Sequence, residues 1–303
     1  MQKKGSRHPN DSTEKMIFLG IIVLSILCFR VAGYSEDKKG VHIGKDFAFL
    51  TFGDWSYRQT NIFQEDYNYT GGWSYARLAW RNKVVPLGIY VLGVIVNSNS
   101  DKTWENNYVF GVGIEKYVFE DIDSVSGFPK NIRYYFEYLR IGYTKEKIAD
   151  WVPSYDIRFG IDVYKDYGIG SDKINRLFWA EIWGNLGWQK TNFYIENYNS
   201  IVVGLNVKAG LRLPRNSPFA LMPYGVADIS WVGRHNFFWQ NRGLFGIGLR
   251  IMPFAKAQSE LLNRLKIFAE YFFTVQYIKD KPVVDIPGYD FRVGVIYSLG
   301  FWK

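Results

Sequence analysis

The feature that most constrains this chain is an alternation of apolar with small or charged residues, almost unbroken in its last segment, Asp290 to Trp302. Phe291, Val293, Val295, Tyr297, Leu299 and Phe301 share one face there, and Arg292, Gly294, Ser298 and Gly300 share the other. A period of two puts successive side chains on opposite sides of an extended backbone, so the segment reads as a β-strand. A continuous apolar face opposite small and charged residues suits a strand with hydrocarbon on one side and a crowded, wet interior on the other.

The pattern recurs along the chain. Ile201, Val203, Leu205, Val207, Ala209, Leu211 and Leu213 alternate with Gly204, Asn206, Lys208, Gly210 and Arg212. A globular core is too thin to need so long an apolar face, whereas a membrane-spanning strand takes about 9 to 11 residues. The same rule covers Tyr108 to Glu115, Ile157 to Val163, Phe178 to Trp188, Phe245 to Ile251 and Leu265 to Tyr277. Weaker alternation fills the gaps at Asp46 to Trp55, Trp73 to Trp80, Leu87 to Val96, Ile132 to Tyr143 and Phe219 to Trp231. In Ile132 to Tyr143 the apolar face switches, from Ile132, Tyr134 and Phe136 to Leu139, Ile141 and Tyr143, as a β-bulge would cause. Pro223 interrupts the last of these segments and implies a bulge or a later strand start. The sum is about twelve strands, with ten or fourteen as alternatives, and the fold class is all-β: a transmembrane antiparallel up-and-down β-barrel.

The start of the chain differs. Residues 1–15 are polar and basic, Met16 to Phe29 is an apolar run, and Val31-Ala32-Gly33 offers small residues where a signal peptidase reads. Residues 1–33 therefore read as a cleaved signal peptide, because the competing reading, an anchor helix, needs about 20 apolar residues. Residues 34–45 form a polar periplasmic lead-in and residues 46–303 the barrel. Every later apolar run is broken by charge or glycine, so crossing a membrane would require a closed barrel, whose backbone groups are satisfied between strands. The only cysteine, Cys28, lies in the apolar run, which leaves the mature chain without disulfides or thiolate metal sites. Aromatic residues make up 18% of the chain, a content that fits interfacial girdles, with an aromatic-rich soluble β-sandwich as the alternative. The formal charge of +8 falls to +5 beyond residue 33 and is spread along the chain, which does not support a nucleic-acid reading but is compatible with lipopolysaccharide or an acidic polymer nearby.

An even strand count puts both barrel ends in the periplasm. The connections Ser56 to Gly72, Ser98 to Glu105, Lys145 to Pro153, Gln189 to Ser200, Val232 to Asn241 and Ile278 to Gly288 then face outward. The others are periplasmic turns, and Ala255 to Leu262 has the composition for one helical turn.

The three histidines, His8, His42 and His235, have no serine partner at a catalytic spacing, and no metal spacing or phosphate-cradling loop is present. The chain is therefore expected to be no enzyme and to need no cofactor. The informative residues are those that alternation turns inward. Arg77, Arg158, Lys208, Arg212, Arg250, Lys266 and Arg292 would share the lumen with Glu115, Asp162, Glu181, Asp228 and Glu270. Charges of both signs can pair and plug a barrel or line an aqueous path. If they line one, Arg212→Ala or Arg250→Ala should change conductance while leaving folding intact. Trp179 and Trp183 flank Glu181 on the same face, where they would either hold sugar rings or fill a narrow lumen.

Pro223-Tyr224-Gly225, Gly246-Ile-Gly-Leu-Arg250, Leu265-Lys-Ile-Phe-Ala-Glu-Tyr271 and Asp290-Phe-Arg-Val-Gly294 carry a resemblance. Over residues 220–303 the chain resembles the C-terminal β-barrel of bacteriophage-adsorption and exopolysaccharide-export outer-membrane proteins. The aromatic-ended last strand is similar to the one that Gram-negative outer-membrane barrels present to the barrel-assembly machinery, with Lys303 after Trp302 as a departure. The resemblance implies location in the bacterial outer membrane and export of an extracellular polysaccharide. It also implies a separate periplasmic delivery protein, since the chain has no room for the helical arm that such proteins carry before the barrel. A closed barrel acting as a surface receptor, adhesin or structural protein, and a general small-solute porin, are the alternatives.

Overall fold

A computed structural model describes residues 47–61, 67–81, 87–100, 105–117, 131–143, 154–168, 176–192, 197–213, 219–233, 241–276 and 288–301. The expected signal peptide (1–33), the lead-in (34–45) and His8, His42 and His235 lie outside the described residues.

The strands are β1 (Phe47–Thr60), β2 (Tyr67–Arg81), β3 (Gly88–Ser98), β4 (Asn107–Tyr117), β5 (Asn131–Tyr143) and β6 (Ser154–Tyr167). They continue as β7 (Phe178–Thr191), β8 (Tyr198–Leu211), β9 (Ala220–Val232), β10 (Arg242–Met252), β11 (Lys266–Gln276) and β12 (Gly288–Phe301). A single helical turn, α1 (Glu260–Asn263), precedes β11. Each strand neighbours its predecessor and successor, and β1 pairs antiparallel with β12 from Phe49↔Phe301 to Thr60↔Asp290. The sheet is thus a closed twelve-stranded barrel, and among the described strands no edge is left without a neighbour.

Two faces follow from the alternation. Outward positions expose large apolar side chains, among them Phe110, Phe178, Leu186, Ile247 and Phe273, over a surface that water would not tolerate on a monomer. Aromatic residues edge this belt: Tyr57, Tyr108 and Trp231 near the end away from the termini, and Trp80, Tyr134, Tyr167 and Phe178 near the end that carries them. Along β7 the belt runs from Phe178 to Trp188, and ten residues at about 3.3 Å each with a strand tilt of about 40° rise roughly 25 Å, the height of a lipid-facing band. This is a transmembrane β-barrel of the bacterial outer-membrane type; the end where β1 starts and β12 finishes is the one expected on the periplasmic side and is called periplasmic below, the opposite end the outer mouth.

Three local expectations are corrected. β5 has no bulge: its register is continuous with β4 from Asn107↔Tyr143 to Tyr117↔Arg133 and with β6 from Asn131↔Tyr164 to Ile141↔Ser154. Tyr134, Phe136 and Tyr138 face lipid while Leu139 and Ile141 are buried inside, Leu139 packing with Tyr90 and Leu92. The apparent switch arose because the outer half of this strand is apolar toward the lumen. Pro223 also sits in an unbulged strand, opposite Leu249 of β10. The β8–β9 ladder stops at Gly210↔Tyr224 and resumes in the same register at Leu213↔Leu221, where the backbones exchange two hydrogen bonds of 2.7 Å. The proline therefore removes a ladder bond without inserting a residue.

Several strands, finally, run past the turns expected from the apolar pattern. β1 continues to Thr60, β2 begins at Tyr67, and β7 and β8 reach Thr191 and Tyr198. Backbone pairing needs no lipid-facing side chain, so the ladder extends beyond the hydrocarbon and carries polar inward residues with it.

Candidate lumenal site

The inward side chains sort into packed and open walls. In the periplasmic half of β2–β6, Glu115 accepts from Nη1 of Arg77 at 2.8 Å and from Nη1 of Arg133 at 3.1 Å. Arg133 also donates from Nε to Asp162 at 3.0 Å and forms an ion pair with it. Tyr90 donates its hydroxyl to Glu137 at 2.6 Å, and the guanidinium groups of Arg77 and Arg133 lie 5.2 and 5.6 Å from its ring centroid. Ala48, Ala79, Leu92 and Leu139 form an apolar cluster around this ring. The cations are held by carboxylates and an aromatic face together, which makes burial of the charges tolerable.

A second network occupies β7–β11. Glu181 pairs with Arg250 at 3.0 Å and Lys266 at 3.6 Å; Glu270 pairs with Lys208 at 2.5 Å and accepts the Tyr224 hydroxyl at 2.5 Å. Arg250 lies 4.8 Å from the Trp179 ring centroid and 5.3 Å from that of Tyr224, and the two rings meet edge to face at 5.2 Å. Met222, Val226, Leu244 and Phe272 fill the space beside them. The Glu181–Lys266 pair joins β7 to β11 and the Lys208–Glu270 pair joins β8 to β11. Such pairs cut across the curve of the wall instead of following it, so side chains occupy this side of the lumen.

Nearer the outer mouth, Asp290 accepts from Arg58 at 2.5 and 2.7 Å and from Arg292 at 2.5 Å, and Arg58 also donates to the Tyr69 hydroxyl at 3.0 Å. On β6 and β7, Asp156 pairs with Arg158 at 2.5 Å and accepts from Gln189 at 2.8 Å.

The wall of β6–β8 is different. Its inward residues include Gly160, Gly187 and Gly204, and the Tyr135 hydroxyl lies 3.1 and 3.2 Å from where a Cβ on Gly160 or Gly187 would stand. Below these glycines Trp183 faces Tyr164 across the β6–β7 ladder and Asn206 across β7–β8. Both rings point inward, yet Trp183 is 44% exposed and Tyr164 39%. The Arg158 side chain on the same wall is 40% exposed despite its ion pair. Inward and exposed together mean open lumenal space along this wall.

The structure places Arg77, Arg158, Asp162, Trp179, Glu181, Trp183, Lys208, Arg250, Lys266, Glu270 and Arg292 on inward strand positions, and Arg212 buried just beyond β8. It separates what the sequence had joined, however. Trp179 is 1% exposed, and its Nε1 donates to the Leu211 carbonyl at 3.2 Å; it fills space, while Trp183 alone of the two meets open lumen. Arg250 and Arg212 are buried too, which removes the ground for expecting their alanine variants to leave folding intact.

Sequence reasoning missed Arg58, which fell in an expected loop, and Arg133, Tyr135 and Glu137, hidden in a strand thought to be bulged. It missed Tyr90, Tyr164 and Tyr224 because an inward tyrosine looks like any apolar position in a pattern. The Arg133–Tyr135–Glu137 alternation was the available signal.

No protein-family model and no curated protein matches the chain. Among solved structures it is similar to the beta domain of the Bordetella autotransporter BrkA, with 11% identity over 83% of this chain and 98% of that one and a TM-score of 0.37. It is similar to the translocator domain of the autotransporter NalP from Neisseria meningitidis, with 12% identity, 90% and 95% coverage and a TM-score of 0.36. It is also similar to the KdgM porin, with 8% identity, 82% and 99% coverage and a TM-score of 0.34. These are likenesses of one barrel to another and do not bear on cargo.

Proposed function

We propose that this barrel is a non-enzymatic outer-membrane conduit for an extracellular polysaccharide, with the path following the β6–β8 wall. The observation that supports it is the exposure of Trp183, Tyr164 and Arg158 inside a closed barrel whose inward side chains interlock in the β2–β5 wall and around Glu181 and Glu270. A chain threading that wall meets rings, amides and a guanidinium. The conduit uses no cofactor; lipid and lipopolysaccharide surround it, the barrel-assembly machinery inserts it, and a separate periplasmic protein delivers the polymer.

The test is single-channel recording on purified protein in planar bilayers. Steady current that added polysaccharide blocks reversibly is the expected result. A second reading, a closed barrel serving as a surface receptor, adhesin or structural protein, is favoured by the Glu181–Lys266 and Lys208–Glu270 pairs that cut into the lumen. Absence of current under every voltage and salt condition would establish that reading in place of the first. Current that no polysaccharide blocks would leave a small-solute porin.

A further inference from the structure

We infer that the lumenal wall of β6–β8 carries a saccharide subsite built on Trp183 and Tyr164, selective for uncharged sugar units over acidic ones. The inference deepens the conduit reading and rests on it for its biological setting, though the site itself is defined by geometry alone.

Trp183 sits between Tyr164 and Asn206 on neighbouring strands, all on inward positions. One pair higher, Asn185 lies between Asp162 and Gly204. Gly204 is what lets this group exist: a Cβ there would stand 2.2 Å from Asn185 Oδ1 and 3.3 Å from Trp183 Cζ3. Asn185 is in turn hydrogen-bonded to Tyr135, whose hydroxyl lies over the paired glycines Gly160 and Gly187. The result is a stretch of wall where Tyr135 and Asn185 lie over the glycines, the exposed rings of Trp183 and Tyr164 stand toward the periplasmic end with Asn206 beside them, and Arg158 stands toward the outer mouth.

The charge arrangement selects the ligand class. The formal charges around this stretch of wall are engaged with one another: Asp162 with Arg133, Glu181 with Arg250 and Lys266, Glu270 with Lys208, and Asp156 with Arg158. An anionic sugar would have to compete with a short ion pair for its cation, whereas a neutral one needs only ring faces and amide groups. Aromatic surface beside carboxamides matches the alternation of C–H faces and hydroxyl edges on a pyranose. Trp179, only two residues from Glu181 on the same strand, takes no part because its ring is already covered by Tyr224 and Arg250.

The experiment is equilibrium binding to the full-length barrel in detergent micelles, followed by tryptophan fluorescence and calorimetry. The probes are three neutral hexasaccharides (an α-1,4-glucan, a β-1,4-glucan and a β-1,4-mannan) and, as the acidic counterpart, a hexamer of galacturonate. At least one neutral probe should bind; Trp183→Ala should weaken it about tenfold or more, as loss of an aromatic anchor does, and Trp183→Phe should weaken it less. Trp188→Phe, on the lipid face, should change nothing. Retained heat-modifiable migration shows that each variant folds. Binding of the acidic probe alone, no binding by any neutral probe, or equal binding by Trp183→Ala would overturn the subsite. Bilayer recording separates the two ideas: current without saccharide binding removes the subsite and leaves a conduit, while binding without current keeps the subsite and removes the conduit.

Discussion

The wall of β2–β5 and the wall of β6–β8 have the same backbone geometry and the same lipid-facing alternation, but they use their inward positions in opposite ways. The first spends them on Arg77, Tyr90, Glu115 and Arg133, whose contacts interlock in the lumen. The second spends them on Gly160, Gly187, Gly204 and two asparagines, and leaves Trp183 and Tyr164 in open space. Side-chain volume on alternate residues is enough to produce both arrangements. The difference teaches that the lumen is asymmetric: interlocked and exposed inward side chains reside in separate arcs of one ring.

The largest effect should come from the packed arc. The Glu115 side chain is fully buried and holds two arginines, so Glu115→Ala leaves two cations facing each other and should cost about 3 to 5 kcal/mol. Urea unfolding in lipid vesicles measures it, and a loss under 1 kcal/mol would break the comparison. Arg250→Ala should be nearly as costly, about 3 kcal/mol, because it removes the shorter of the two ion pairs to Glu181 and uncovers the Trp179 and Tyr224 rings. The same variant should alter conductance less than its charge suggests, since Arg250 is buried in the filled side.

Closing the open arc should do the reverse. Gly204→Gln displaces only the ends of Asn185 and Trp183, so stability should hold within about 1 kcal/mol, while single-channel conductance falls by roughly half. Unchanged current would move the path elsewhere. The smallest effect on current is expected from Arg158→Gln: a reversal potential shifted toward cations in a salt gradient, with a stability loss of about 1 to 3 kcal/mol because the buried Asp156 loses its cation and keeps Gln189.

Much of the fold was legible because each strand advertises itself locally. Period-two alternation in Asp290–Trp302 or Ile201–Leu213 needs no knowledge of any neighbour, and an apolar belt fixed by bilayer thickness repeats it around the ring. The errors fell where that signal is ambiguous. β5 is apolar on both faces at different heights, so Leu139 and Tyr138 look alike in sequence although one faces the lumen and the other lipid. At Pro223 the sequence shows a missing donor, but only the resumed Leu213↔Leu221 bridge shows that the register survives.

What the sequence by itself determined, then, was that this chain crosses a membrane as about twelve strands and which side chains point away from lipid, because both depend on spacing along a single strand. Which inward residues meet was decided only in the tertiary structure. Arg58 and Asp290 lie 232 positions apart and touch because β1 closes on β12; Trp179 and Trp183 lie on one face of one strand and part company because Tyr224 and Arg250 reach only the former. Contacts across a lumen depend on the shear and closure of the whole ring, and no stretch of sequence contains that information.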